Sequence, residues 1–101
     1  MGTIKITDHL NRWLTNEDGA VIFEQIRPYL EKDEPVVVSF EGVSSVPTSF
    51  VNSAFLELLV SFPFSKIKEK LTFVHTNRQI NAIINKRFQF VVNQQRDTPT
   101  H

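Results

Sequence analysis

Residues 35–62 read PVVVSFEGVSSVPTSFVNSAFLELLVSF, and this stretch decides the fold. Val36, Val37, Val38 and Phe40 form a short apolar, β-branched run, the pattern of a strand covered on both faces. Gly42 permits a sharp exit, and Pro47 holds Val46 before it in extended backbone. The period then changes: Val51, Ala54, Phe55, Leu58 and Phe62 recur at helical spacing and make one wide apolar stripe. A buried strand, a tight loop and an amphipathic helix follow, with Thr48 and Ser49 at the junction. Between a buried strand's carboxyl end and a helix N-terminus is where α/β folds commonly place function.

Toward the N-terminus, residues 3–7 (TIKIT) alternate and read as an edge strand. Residues 8–15 either complete a hairpin or lead irregularly into a first helix, anchored by Leu10, Trp13 and Leu14. That helix is expected over 16–31. Asn16 is its N-cap, Glu17 and Asp18 suit the positive end of its dipole, and Ile22, Ile26, Tyr29 and Leu30 form its buried stripe, with Phe23 at the border. Pro28 predicts a bent last turn or an early end.

Toward the C-terminus, Pro63 stops the second helix, and Lys66, Lys68 and Lys70 decorate a surface connection. Residues 71–75 (LTFVH) make another buried strand. Thr76 and Gln79 form a capping-box pattern opening a third helix, whose apolar face is Ile80, Ile83, Ile84 and Phe88. Residues 90–93 read as a last edge strand, so the domain spans 1–93 and 94–101 is a flexible polar tail. Alternating strands and helices predict an α/β domain: a small mixed β-sheet with three helices mainly on one face, and strands 36–40 and 71–75 as parallel neighbours. The other sheet face is then partly open or used for self-association.

Composition narrows the function. Eleven basic and eleven acidic side chains cancel, so bulk electrostatics favour neither nucleic acid nor an anionic membrane. The absence of cysteine excludes disulfides, thiolate zinc sites and a cysteine nucleophile. No signal peptide and no membrane-spanning run stand out, and a cytoplasmic protein is the expectation. His9, His75 and His101 lack metal-ligand spacing, and three scattered glycines do not make a phosphate cradle. Neither metal nor cofactor is expected, and the absence of catalytic signatures argues against an enzyme.

At this point the segment 36–59 resembles the STAS fold of anti-sigma-factor antagonists, and more closely a STAS-like offshoot of unassigned function. Gly42-Val43 and Ser49-Phe50 fit the offshoot's Gly-Val, spacer and Ser-Phe form, while Leu14, Thr15, Asn16 and Gly19 resemble its Leu-Thr-(Arg)-x-x-Gly element, with Asn16 where Arg is usual. The resemblance implies a cytoplasmic bacterial or phage regulatory module that binds a protein partner. In the antagonists that partner is a kinase with a histidine-kinase-like ATP site, which phosphorylates a serine aligning with Ser49. Pro47 replaces the acidic residue of that motif and Phe50 its glycine.

For Thr48 and Ser49 the plain role is a helix cap accepting an orphan backbone N–H. The sharper role is phosphorylation at Ser49, because a helix N-terminus welcomes a phosphate. Asn52, Leu56 and Val60 lie on another flank of the helix, either a second buried side or a binding strip. Lys66, Lys68, Lys70, Arg78, Lys86 and Arg87 read as solvated surface. The leading expectation is a non-enzymatic regulatory module that binds its partner through the 42–53 loop and second helix. Its candidate contacts are Gly42, Thr48, Ser49, Phe50, Asn52, Ser53, Leu56 and Val60. Two alternatives stay open: an anion- or nucleotide-binding module at Thr48 and Ser49, and a structural domain that forms a homodimer.

Overall fold

The computed structural model describes residues 2–96. Three strands, β1 (Gly2–Lys5), β2 (Val36–Ser39) and β3 (Leu71–Val74), form one sheet in that spatial order, every pairing parallel. Its helices are α1 (Ile6–His9), α2 (Asn16–Glu31), α3 (Thr48–Ser61), α4 (Phe64–Lys70) and α5 (Arg78–Arg96). The expected neighbours at 36–40 and 71–75 are paired, with Val38 opposite Phe73. The mixed sheet is not formed. Residues 8–15 make no hairpin arm: they leave the helical turn at Ile6–His9 and run irregularly into α2, and residues 90–93, expected as an edge strand, continue α5.

Register explains why one side of the sheet carries the core. Gly2, Val36 and Leu71 line up, as do Ile4, Val38 and Phe73, and all six face the helices. Val36 and Val38 are fully buried there, while Thr3 and Thr72, one residue along, are exposed on the opposite face. Phe55 of α3 packs edge-on against Phe73 at 5.0 Å between ring centres, and Phe40 touches both at 6.1 and 5.9 Å. Each such pair adds about 0.5–1.5 kcal/mol beyond the area it buries. This ring cluster fixes the sheet to α3 and thereby places the β2–α3 corner.

α2 spans the expected 16–31, but its cap lies one residue earlier than the sequence suggests. Thr15, not Asn16, is the N-cap: its hydroxyl accepts from the Asp18 amide at 3.1 Å, while the Asp18 carboxylate accepts from the Thr15 amide. Pro28 does not end the helix, which runs on to Glu31 and closes with Asp33 at φ 58°. The amides of Asp33 and Glu34 return to the carbonyls of Leu30 and Tyr29, the left-handed closure that normally selects glycine. Gly19 lies where α2 crosses α3. A Cβ there would stand 2.7 Å from the Phe50 carbonyl and 2.7 Å from Ser53 Oγ, so only glycine allows the two helices to approach this closely.

α3 is not regular. Between Asn52 and Leu56 its turns widen to π geometry, and the Asn52 carbonyl accepts from the Glu57 amide at 3.1 Å. Of the expected stripe Val51, Ala54, Phe55 and Leu58 are buried and Phe62, just past the helix end, is half-buried; Leu56, next to Ala54 and Phe55, is buried as well. Three buried residues in succession make a broader face than an α-helix provides. α5 is capped by Asn77, whose Oδ1 accepts from the Ile80 amide at 2.9 Å, in place of the Thr76–Gln79 box. It continues through residues 94–96, so the tail expected from 94 is helical at its start, and 97–101 lie outside the described residues. Among the described residues no single helix is long and apolar enough to cross a membrane.

Candidate functional site

Two short sequence signals meet at the N-terminal half of α3. Phe40, Gly42 and Val43 make the turn out of β2, with the Val43 amide donating to the Phe40 carbonyl at 2.8 Å and Gly42 at φ 84°. A residue with a side chain is strained at that angle, which accounts for the glycine. Val43 and Val46 are buried and pin the loop to the core, while Ser44 and Ser45 are exposed.

The loop is also held from the far end of the chain. Gln79 pairs with Val46 through both ends of its amide: Oε1 accepts from the Val46 N–H and Nε2 donates to the Val46 carbonyl, each at 3.2 Å. Asn77 Nδ2 donates to the Ser44 carbonyl at 2.7 Å. Gln79 reads in sequence as part of a helix start, yet its side chain, with that of Asn77, acts as a substitute strand for a loop that has none.

On its other flank the corner meets the segment before α2. Ser49 Oγ donates to the Leu14 carbonyl at 2.9 Å, and Ser53 Oγ lies 3.3 Å from Asn16 Oδ1 and 2.8 Å from the Ser49 carbonyl. The elements Leu14-Thr15-Asn16-x-x-Gly19 and Ser49-Phe50 are thus one assembly: a cap, a close helix crossing and a serine hydroxyl that ties them. Asp18 secures the near side, and the Leu14 amide donating to its carboxylate at 2.9 Å is the main reason that its pKa lies below the usual value. The Thr15 amide and hydroxyl and the Arg12 charge act in the same direction, against partial desolvation.

Neither hydroxyl caps α3. Pro47 occupies the N-cap position with no side-chain bond, and its carbonyl accepts from the Val51 amide at 3.2 Å. Thr48 is exposed and Ser49 half-buried. Of the other expected contact residues, Gly42 is exposed, while Asn52 and Ser53 are half-buried and face outward beside Asn16 and Glu57 around a polar cleft of about 420 Å³. Two depart from expectation. Phe50 is fully buried, edge-on to Phe55 at 6.2 Å, and Leu56 is only 9% exposed, drawn inward by the widened turn. Val60 is 82% exposed, but with Leu56 in the core no apolar strip joins it to Asn52.

Sequence reasoning did not anticipate Arg87, whose Nε donates to Asn52 Oδ1 at 3.1 Å, nor the Gln79 clamp. These contacts bridge distant parts of the chain, and no local pattern announces them. Among the described residues no three side chains group as a metal site; His101 lies outside them.

A comparison with curated proteins and one with solved structures each found no match. A family model described as a STAS-like domain of unknown function (DUF4325) matches residues 18–81, more than half of the chain. The matched span takes in Asp18, the Gly19 crossing, β2, the 42–53 corner, α3, β3 and Gln79, and the chain belongs to this family of STAS-like domains.

Proposed function

We propose that this domain is a non-enzymatic regulatory module, similar in role to anti-sigma-factor antagonists, that binds a protein partner through the 42–53 loop and the start of α3. The observation that carries the reading is the corner itself. Its backbone is fixed from both sides, by Ser49 on Leu14 and by Asn77 and Gln79 on residues 44–46, yet Gly42, Ser44, Ser45 and Thr48 remain exposed. A loop held rigid before binding loses little freedom on association, which is how a small surface gains affinity.

Ser49 is the switch in this reading. Its hydroxyl is a hydrogen-bond donor to Leu14, and a phosphate in its place offers only acceptors and about −1.5 to −2 charges. The modification removes the Leu14 tie and adds charge beside the free amides of the first α3 turn, which favour an anion. A kinase with a histidine-kinase-like ATP site is the partner that the family resemblance suggests, and the setting is the cytoplasm. No cofactor enters the scheme.

The test is capture from the native host with wild-type, Ser49→Ala and Ser49→Glu protein, read by mass spectrometry for partner and for phosphate on Ser49. The expected result is one partner retained by wild type and Ser49→Ala and lost with Ser49→Glu. Equal loss in both variants, in step with a lower melting temperature, reduces Ser49 to a structural tie.

A further inference from the structure

The charge balance of the whole chain conceals a local asymmetry. α5 contains Arg78, Lys86, Arg87 and Arg96 and no acidic residue, whereas α2 contains Glu17, Asp18, Glu24 and Glu31 against a single Arg27. Beside the first turn of α3, α5 borders a groove of about 440 Å³ lined by Thr48, Gln79, Ala82, Ile83, Lys86 and Arg87. Ala82 and Ile83 give it an apolar floor, and the two cations stand at one end.

Arg87 is held ready for an acidic group. Its Nε is occupied by Asn52 Oδ1 at 3.1 Å, and its guanidinium carbon sits 5.2 Å from the centre of the Phe90 ring. Those two contacts fix the plane of the fork and leave its terminal nitrogens for a carboxylate. Among the described residues neither Lys86 nor Arg87 has a carboxylate within 4.0 Å, while Lys5 and Lys66 each have one and Arg27 has two. A preorganised Arg87 fork with the Lys86 ammonium beside it, over an aliphatic floor, is complementary to carboxylates next to an aliphatic side chain.

We propose that this groove receives an acidic peptide segment of the protein partner. The inference rests on the regulatory reading above and supplies the chemistry of the segment that docks. Nucleic acid is the weaker fit, because the chain has no net charge and the groove has no aromatic floor for bases to stack on.

The test uses the full chain and a fluorescein-labelled hexaglutamate peptide, with anisotropy for affinity and amide shifts for location. Binding is expected to weaken as salt rises, with shifts centred on Thr48, Ala82, Ile83 and Lys86. Lys86→Gln, an exposed change that leaves the core intact, is expected to lower affinity roughly 10-fold, the scale of one lost charge-assisted bond. Arg87→Lys, which keeps the charge but loses the fork, is expected to lower it by less than Arg87→Gln. Shifts that map elsewhere, or unchanged affinity in Lys86→Gln, overturn the proposal. So does a single-stranded oligonucleotide of equal charge that displaces the peptide from these residues, which makes the groove a nucleic-acid site. Self-association abolished by Lys86→Gln assigns the groove to the acidic α2 of a second copy and likewise overturns it. Partner capture that is lost in Ser49→Glu but intact in Lys86→Gln sinks this inference alone; capture unaffected by either sinks the regulatory reading too.

Discussion

Replacing Gly19 by alanine sets two effects of opposite sign against each other. In an isolated helix the change is favourable by about 0.5–1 kcal/mol, because glycine loses more backbone freedom on folding. Here the new methyl would lie 2.7 Å from the Phe50 carbonyl, 2.7 Å from Ser53 Oγ and 3.0 Å from the Ala54 amide. Two of these three atoms belong to the α3 backbone, so relief requires the helices to separate by several tenths of an ångström along their crossing. Overpacking of this kind costs about 1–3 kcal/mol, which outweighs the propensity gain and leaves a net loss of about 1–2 kcal/mol. For a domain of this size that is a fall of roughly 5–12 °C in Tm. Separation also stretches Ser53 from Asn16 and Ser49 from Leu14, which adds to the loss of stability. Urea unfolding followed by circular dichroism measures that loss, with Ala20→Gly, on the exposed side of the same turn, reporting propensity alone. A midpoint for Gly19→Ala at or above wild type would show that the crossing has slack and would refute the close-approach argument.

Three further outcomes are expected. Asp33→Gly relieves the left-handed residue that closes α2 and should stabilise the protein by about 0.5–1 kcal/mol in urea titration; a lower midpoint would mean that its contact with Lys66 at 3.8 Å outweighs the relief. Because binding of the Leu14 amide depresses the Asp18 pKa from its ordinary 3.8, the carboxylate stabilises the fold above that value and the contribution is lost as the pH falls through the lower folded value; Asp18→Asn should flatten the acid limb of the stability profile, and an unchanged limb would contradict this. Gln79→Ala removes both contacts to Val46, so hydrogen exchange at the Val46 amide should accelerate while amides in β2 keep their protection; equal acceleration throughout would point to global loss instead.

The parts of the fold that were legible in sequence are those in which a single period persists. Val36 to Phe40 and the α3 stripe announce themselves because burial on one face forces the pattern. Residues 90–93 misled because Phe90, Val91 and Val92 favour strands locally, yet Ile80, Ile84 and Phe88 are buried at four-residue steps and carry the helix through them. The Thr76–Gln79 pattern misled for a different reason: Asn77 caps equally well, and the Gln79 amide meets a stronger need in the unpaired backbone of Val46. Of the site, Thr48 and Ser49 could be located from the strand-to-helix change, but the direction of the Ser49 bond could not, since its acceptor is the carbonyl of Leu14. The π turn left no readable trace, and it is what separates Leu56 from Val60.

The parallel register has a consequence for synthesis on the ribosome. Gly2 aligns with Val36 and Val36 with Leu71, so no two strands can zip together as a hairpin, and each must wait for a complete helical crossover to emerge. Until β3 and α5 have left the exit tunnel, one edge of β2 stays bare and the 44–46 loop lacks its far-end brace. The emerging chain therefore has no finished 42–53 corner until Asn77 and Gln79, which brace it, have followed it out of the tunnel.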